Sequence, residues 1–404
     1  MNYKVPAIYG KIKNKSATVG VPGSKSITAR ALLLATLAQG ESTLYNVQFS
    51  DDCAAFLQCV KDLGVSCSVN GNTVKIEGCG GVLPVKSAKI NVGSAGTAAR
   101  FLTALCAFSE GEFTVDGSEQ MANRPMSGLT EALVSAGAEV LKTGEKSLPV
   151  VIRGTRTPAS PITVDVTASS QFLSALLISA VCAKSPVKIK TVGTHGRDYV
   201  DMTLNMMWSF GVTVDESDGV FTVAGKYSAK RYEIEPDLSA ASYFYAANRV
   251  LGTDIKVKGV MPRSMQGDGK FIELIKTFDG GKINMAAFSD QALTLAAIAP
   301  YFSKPTEICG VEHIRRQECD RVAAIVRNLT AMGVRTEERA DGVKIYPSQP
   351  RPAKINTFGD HRVAMAFALT GLLAVGIEIE NAEVCSKTFK EYFDVLDGFI
   401  KSLT

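Results

Sequence analysis

Lys25, Ser26 and Arg30 open an apolar run in VPGSKSITARALLLATL, and similar polar groups open five later runs. The later groups are Ser94, Gly96, Thr97 and Arg100; Ser169, Ser170 and Gln171; Asp237, Ser239 and Ser242; Asp290; and Asp360, His361 and Arg362. Ser, Asp and Gly at a helix start are ordinary N-caps, so capping alone accounts for any one of these groups. It does not account for Arg100 or Arg362 on an apolar helix, because a buried guanidinium wants an anionic partner. The chemistry implied is anion holding. A helix N-terminus offers unpaired N–H groups, hydroxyls add donors, and Lys and Arg add full charge.

The first group is not a nucleotide loop. That motif needs G-x-x-x-x-G-K-[ST], and here Gly23 is followed by Ser24 and then Lys25, with the preceding glycine at Gly20. One helix terminus stabilises an anion by roughly 0.3–1 kcal/mol, too little to strip water from a phosphate. Bidentate cationic contacts must add to it. Arg124 in MANRPM, Arg321 in QECDRV and Lys387 in SKTF supply them. Many cations with a few carboxylates fit a small, multiply anionic substrate.

These residues need a scaffold that repeats, and the sequence repeats. Polar starts lie near 24, 94, 168, 237, 289 and 359, most of them about 70 residues apart. Each leads into a buried helix, a turn and a strand. Between them recurs an amphipathic helix, a Gly stop and two short strands, as in CAAFLQCVKDLGVSCSVNGNTVKIEG. FIELIKTFDGGKINM is a shortened version. The last copy is cut off, and strands in AIYGKIKNKSATVGVP are expected to complete it. Six copies then give two α/β domains of three units each. Residues 22–229 form a continuous domain, and residues 1–21 with 230–404 form a split one. An active-site cleft is expected between them, with the helix starts of each domain turned towards it.

Composition excludes other classes. The chain has 404 residues, 46% hydrophobic and 21% charged, which is globular rather than disordered. A net charge of +4, without Lys/Arg runs, gives no footprint for nucleic acid. No leader-like apolar segment opens the chain, and VAMAFALTGLLAVGI is broken by Thr370, Gly371 and Gly376, so no membrane association is expected. Nine cysteines without a C-x-x-C pair argue for reduced thiols and a cytoplasmic protein. His195, His313 and His361 form no H-x-x-x-H pair, so no metal site is expected.

PGSKS with Arg30, SAGTAAR, NRP, ASSQF, SDQALT, ECDR, GDHR and KTF, in this order over nearly the full length, together resemble the 5-enolpyruvylshikimate-3-phosphate synthase family. The resemblance implies two domains, each of three βαββαβ repeats, the inside-out α/β barrel of enolpyruvyl transferases. It implies transfer of the enolpyruvyl (carboxyvinyl) group of phosphoenolpyruvate to the 5-hydroxyl of shikimate 3-phosphate, through a tetrahedral intermediate, in aromatic amino-acid biosynthesis. No cofactor and no metal are implied, and a monomer is the expected state.

By the same resemblance, shikimate 3-phosphate is held by Lys25, Ser26, Arg30, Ser169, Ser170, Gln171, Asp290 and Gln317. Phosphoenolpyruvate is held by Lys25, Gly96, Arg124, Gln171, Arg321, Arg362 and Lys387. Lys25, Asp290 and Glu318 are the catalytic residues. Asp290 takes the hydroxyl proton and Glu318 serves the substrate's C3. Arg100 would hold a loop, with Tyr199 and His361 behind the contacting residues.

Five positions depart from the family pattern: Ser94 for Asn, Phe101 for Pro, Gly196 for Ser, His313 for Asn and Gln317 for Lys. They bear on ligand affinity, and Arg316 is the neighbour expected to compensate for Gln317. Two alternatives remain open: a UDP-N-acetylglucosamine enolpyruvyl transferase, and a non-catalytic anion-binding repeat protein. Ser26, where the former typically has Asn, and the retained Lys25, Asp290 and Glu318 argue against them.

Overall fold

A computed structural model describes residues 1–8, 12, 14–142, 145–193, 196–261 and 263–403; His195 lies outside these. The chain divides into two compact units, Gly23–Glu235 and Met1–Pro22 with Pro236–Thr404. Among the described residues no helix is long and apolar enough to cross a membrane.

Gly23–Glu235 is built from three like modules. Each begins with a buried helix: Lys25–Leu37, Gly96–Ala107 and Gln171–Ser179. Ser24 caps the first, its side chain accepting from the Ile27 N–H, and every residue from Ile27 to Leu37 is buried. The amphipathic helices Asp51–Asp62, Ser127–Ser135 and Arg197–Ser209 follow. On the first of these, Cys53, Phe56, Leu57 and Val60 are buried at helical spacing, and Ser50 caps it. Its turn-closing glycine, Gly64, has φ +83°, a conformation that only glycine adopts without strain.

Each module then makes a hairpin. In the third module Asp218 and Gly219, both at positive φ, join Val214–Ser217 to Val220–Val223, as a tight two-residue turn requires. The strand after each buried helix pairs antiparallel with its hairpin and parallel with a strand from the preceding segment. Gly111–Asp116 thus lies between Val150–Gly154 and Ser87–Asn91, and Val187–Val192 between Val220–Val223 and Ile162–Asp165. For Gln39–Tyr45 the parallel neighbour is Arg231–Glu233, from the far end of the unit. That pairing carries the unit to Glu235, beyond the boundary near 230 read from the sequence.

The second unit repeats the scheme with omissions. Its buried helices are Leu238–Leu251, Ala292–Ile298 and His361–Gly371. Its amphipathic helices are Gly269–Ile275, Arg321–Ala331 and Tyr392–Leu403. One four-stranded sheet is complete, in the order Gly281–Asn284, Thr306–Cys309, Gly342–Ile345, Thr336–Arg339. After Gly269–Ile275 the chain runs straight to Gly281–Asn284, so that module has no hairpin of its own. Tyr3–Lys4 pairs antiparallel with Ile377–Ile379, taking a hairpin strand's place in the last module. Ser16–Val19 pairs parallel with Asp254–Val257.

One helix start differs from expectation. Asp290 does not begin an α-helix; it lies on a 3₁₀ stretch, Ala286–Gln291, kinked at Phe288, and the α-helix starts at Ala292. Asp290 is therefore carried on a tight turn rather than on a helix N-terminus.

Candidate active site

In the first unit the expected residues gather at the starts of its three buried helices. Lys25 Nζ forms an ion pair of 2.9 Å with Asp52, an acid in the first turn of Asp51–Asp62. Lys25, Asp52, Thr28, Ala95 and Thr97 line one pocket, which joins the first helix start to the second. At Gly96 an added Cβ would lie 2.6 Å from Nη1 of both Arg100 and Arg124. Two guanidinium groups thus close on a backbone that only glycine leaves open. Arg100 donates to the Gly96 carbonyl, the Pro125 carbonyl and Gln171 Oε1 at 3.0, 2.9 and 3.3 Å. It ties the loop carrying Arg124 to the second and third helix starts. Ser169 Oγ accepts from the Gln171 N–H.

Arg30 is 2% exposed and faces inward. Nε donates to Thr203, Nη1 to the Ser26 carbonyl, and Nη2 to Ser174 and the Tyr199 carbonyl. Four of its five N–H groups are used among the described residues, so Arg30 chiefly fixes the helix start. Burial lowers its pKa to about 10. Its guanidinium sits 5.5 Å over the Phe101 ring, which gives that departure from the family pattern a role. Gly196 is equally determined. Its φ is +70°, and a Cβ there would come within 2.5 Å of Ser170 Oγ. Ser94 bonds Ser118 at 2.7 Å.

In the second unit the six expected residues form one network centred on Arg321. Its Nε is 2.7 Å from Asp360, Nη1 3.1 Å from Asp290, and Nη2 2.9 Å from Glu318. Gln317 Oε1 accepts from Nη1 as well. Arg362 Nη2 lies 2.9 Å from the other oxygen of Asp290, and Lys387 Nζ 3.3 Å from Glu318. Three acids hold three cations. Asp360 is fully buried. Burial opposes the charge on Arg321, but Asp360, Glu318 and Asp290 together hold its pKa above the usual value.

Two neighbouring positions differ in their surroundings. Gln317 turns to Arg321, and its carboxamide oxygen occupies one guanidinium N–H. Arg316 is exposed, while Arg315 makes the local ion pairs, to Asp320 and Glu338. His313 Nε2 meets Ser289 Oγ at 2.8 Å, beside Asp290.

Sequence reasoning missed Asp52, Asp268 and the role of Asp360 as a ligand of Arg321. Asp268 is 7% exposed and accepts from Ser239 Oγ at 2.9 Å. Burial, then the charge of Asp290, pushes its pKa up to about 7. An acid beside a helix start is a visible signal for Asp52; nothing local marks Asp268.

The sequence profile of the EPSP synthase (3-phosphoshikimate 1-carboxyvinyltransferase) family matches residues 10–396. The 3-phosphoshikimate 1-carboxyvinyltransferase of Trichormus variabilis is 42% identical over 403 residues, covering 93% of this chain and 95% of its own. That of Opitutus terrae is 38% identical, covering 94% and 93%. Among solved structures, the EPSP synthase of Acinetobacter baumannii superposes with a TM-score of 0.81 at 22% identity, over 98% of each chain. The enolpyruvyl transferase NikO of Streptomyces tendae superposes with 0.71 at 14% identity, over 97% of this chain and 96% of its own. These two share the fold. The profile match and the curated relatives, taken with the two units of repeated modules, show that the chain belongs to the EPSP synthase family.

Proposed function

We propose that the chain transfers the enolpyruvyl group of phosphoenolpyruvate to the 5-hydroxyl of shikimate 3-phosphate and releases phosphate, a step of aromatic amino-acid biosynthesis. The hydroxyl oxygen adds to C2 of phosphoenolpyruvate, its proton leaves to a base, and C3 gains a proton. In the tetrahedral adduct the C2–O bond to phosphate then breaks as C3 loses a proton, leaving the enol ether. The reaction therefore needs one acceptor for the hydroxyl proton, one group that gives and takes at C3, and cations for the phosphate and carboxylate.

We assign the hydroxyl proton to Asp290 and the C3 proton to Glu318. Arg321, Arg362 and Lys387, with Gly96, Arg124 and Gln171, are assigned to phosphoenolpyruvate. Lys25, Ser26, Ser169, Ser170 and Gln171 are assigned to shikimate 3-phosphate, with Arg30 fixing Ser26 and offering its remaining Nη1 hydrogen. The observation that carries this reading is the Arg321 network. All five N–H groups of Arg321 point at acceptors, three of them on Asp290, Glu318 and Gln317. An incoming carboxylate or phosphate must displace at least one of these. A carboxylate released from a guanidinium is a better proton acceptor, so substrate binding and base activation are one event.

The nine cysteines carry free thiols, which suits the cytoplasm, where we place the protein. The test is phosphate release from phosphoenolpyruvate. It should appear with shikimate 3-phosphate and not with UDP-N-acetylglucosamine. Release with the sugar nucleotide instead, or with neither, overturns the proposal.

A further inference from the structure

Asp268 lies just before the helix Gly269–Ile275, and its loop is pinned. Gln266 donates through Nε2 to the Pro236 carbonyl at 2.9 Å and accepts through Oε1 from the Leu238 N–H at 3.0 Å. This fastens the loop to the start of the Leu238–Leu251 helix. The Asp268 carboxylate takes one side-chain hydrogen bond among the described residues, from Ser239. No cation bonds it directly among those residues.

The sense of the Ser239 hydroxyl follows from its neighbours. Arg362 Nη2, at 3.5 Å, has only hydrogens to give. Gln291 Nε2 donates from 3.1 Å. Ser239 must receive from both with its lone pairs, so its own hydrogen goes to Asp268. An ionised Asp268 therefore holds those lone pairs towards Arg362. Arg362 in turn bonds Asp290 at 2.9 Å. A hydrogen-bonded line thus runs from Asp268 through Ser239 and Arg362 to Asp290.

We propose that Asp268 is a positioning residue that acts through the Ser239 hydroxyl to aim Arg362 at phosphoenolpyruvate. The proposal rests on the assignment of Arg362 made above. A buried carboxylate with one hydroxyl partner costs folding free energy, so a purely structural role would be a poor use of it. The raised pKa agrees, since burial disfavours its charged form. Two effects compete in a variant that loses both the charge and the acceptor, such as Asp268→Ala. Loss of the negative charge favours an anionic substrate, whereas loss of the aimed Ser239 weakens the Arg362 contact. The second dominates if positioning is the role.

The experiment compares wild type, Ser239→Ala, Asp268→Ala and the double variant in the phosphate-release assay and in thermal melts, with Asp268→Asn as a control. Ser239→Ala removes the hydroxyl without changing charge. Asp268→Ala removes the acceptor of its hydrogen, which Asp268→Asn keeps in its amide oxygen. Ser239→Ala and Asp268→Ala should each raise KM for phosphoenolpyruvate by about tenfold, the scale of one hydrogen bond to a charged group. KM for shikimate 3-phosphate and kcat should change far less. The double variant should be no worse than the poorer single one, because both break one line. Asp268→Asn should raise KM less than Asp268→Ala does. An unchanged KM in Ser239→Ala overturns the proposal, and so does additivity in the double variant. A lower KM in Asp268→Ala, or a lower melting temperature with every constant worsened together, also overturns it. If Asp268→Ala does not fold, its role is structural and the proposal falls. A wild-type chain that releases no phosphate defeats the proposed function instead, before the variants are compared.

Discussion

Arg362 Nη2 lies 2.9 Å from Asp290 Oδ2, while the other oxygen of that carboxylate is 3.1 Å from Arg321. Asp290 is thus gripped by two guanidinium groups and held ready beside them. Asp290→Asn should keep this shape and lose the basicity. We expect kcat to fall by about 10²-fold or more, with no comparable rise in KM for phosphoenolpyruvate. Glu318→Gln should behave likewise. Steady-state constants near wild type would remove either residue from the acid–base pair.

Arg321 neutralises Asp360, which is fully buried. Arg321→Gln should therefore cost about 3 kcal/mol or more of stability, since it leaves a buried carboxylate uncompensated. Urea unfolding measures this directly. A loss of activity at unchanged stability would mean that Asp360 has another partner to turn to.

Asp268 gives a pH dependence with a definite sign. Its pKa is about 7 in the folded protein against an ordinary value of 3.8. The native state therefore binds more protons than the unfolded chain between these values, and stability falls as pH rises through them. Asp268→Asn removes that slope. Its stability advantage over wild type should grow by about 2–3 kcal/mol between pH 5 and pH 8. Urea midpoints at the two pH values decide it, and a constant difference would mean that Asp268 does not titrate in this range.

Gly196 and Ser170 test the phosphate end. Gly196→Ser places a Cβ at a left-handed φ and against Ser170. It should cost about 1–3 kcal/mol in strain. Displacing Ser170 should also raise KM for shikimate 3-phosphate. An equally stable variant with a lower KM would show that the loop reshapes to add a contact.

Gln317 and Arg316 separate two accounts of a missing cation. Gln317→Lys should free one Arg321 N–H and add a charge, lowering KM for at least one anionic substrate by several-fold. Arg316→Ala should leave both KM values unchanged, because Arg316 is exposed while Arg315 carries the local ion pairs. If Arg316→Ala raises KM, the exposed side chain swings in to the substrate.

Much of the scaffold was legible because its signals are local. Ser24, Ser50 and Asp237 cap their own helices within three residues. Gly64 and Gly219 mark turns by the φ they adopt. The repetition of these signals was enough to predict three modules per unit and the polar helix starts where the site residues cluster. Asp290 shows the limit: SDQ reads as a helix cap, yet packing draws it into a 3₁₀ turn.

What tertiary structure alone decided is which charge meets which. Arg321 finds Asp360 across 39 residues, Arg362 finds Ser239 across 123, and Arg30 finds Thr203 across 173. No periodicity carries such pairings. Periodicity records which face of an element is buried, a property of a few successive residues. An ion pair depends on where two elements come to rest, and its strength depends on how much water their packing excludes. The sequence by itself determined the repeated modules and the kinds of side chain at their helix starts. Packing within each unit decided that Arg321 would be saturated with acceptors, that Gln317 would be one of them, and that Asp268 would be buried behind Ser239.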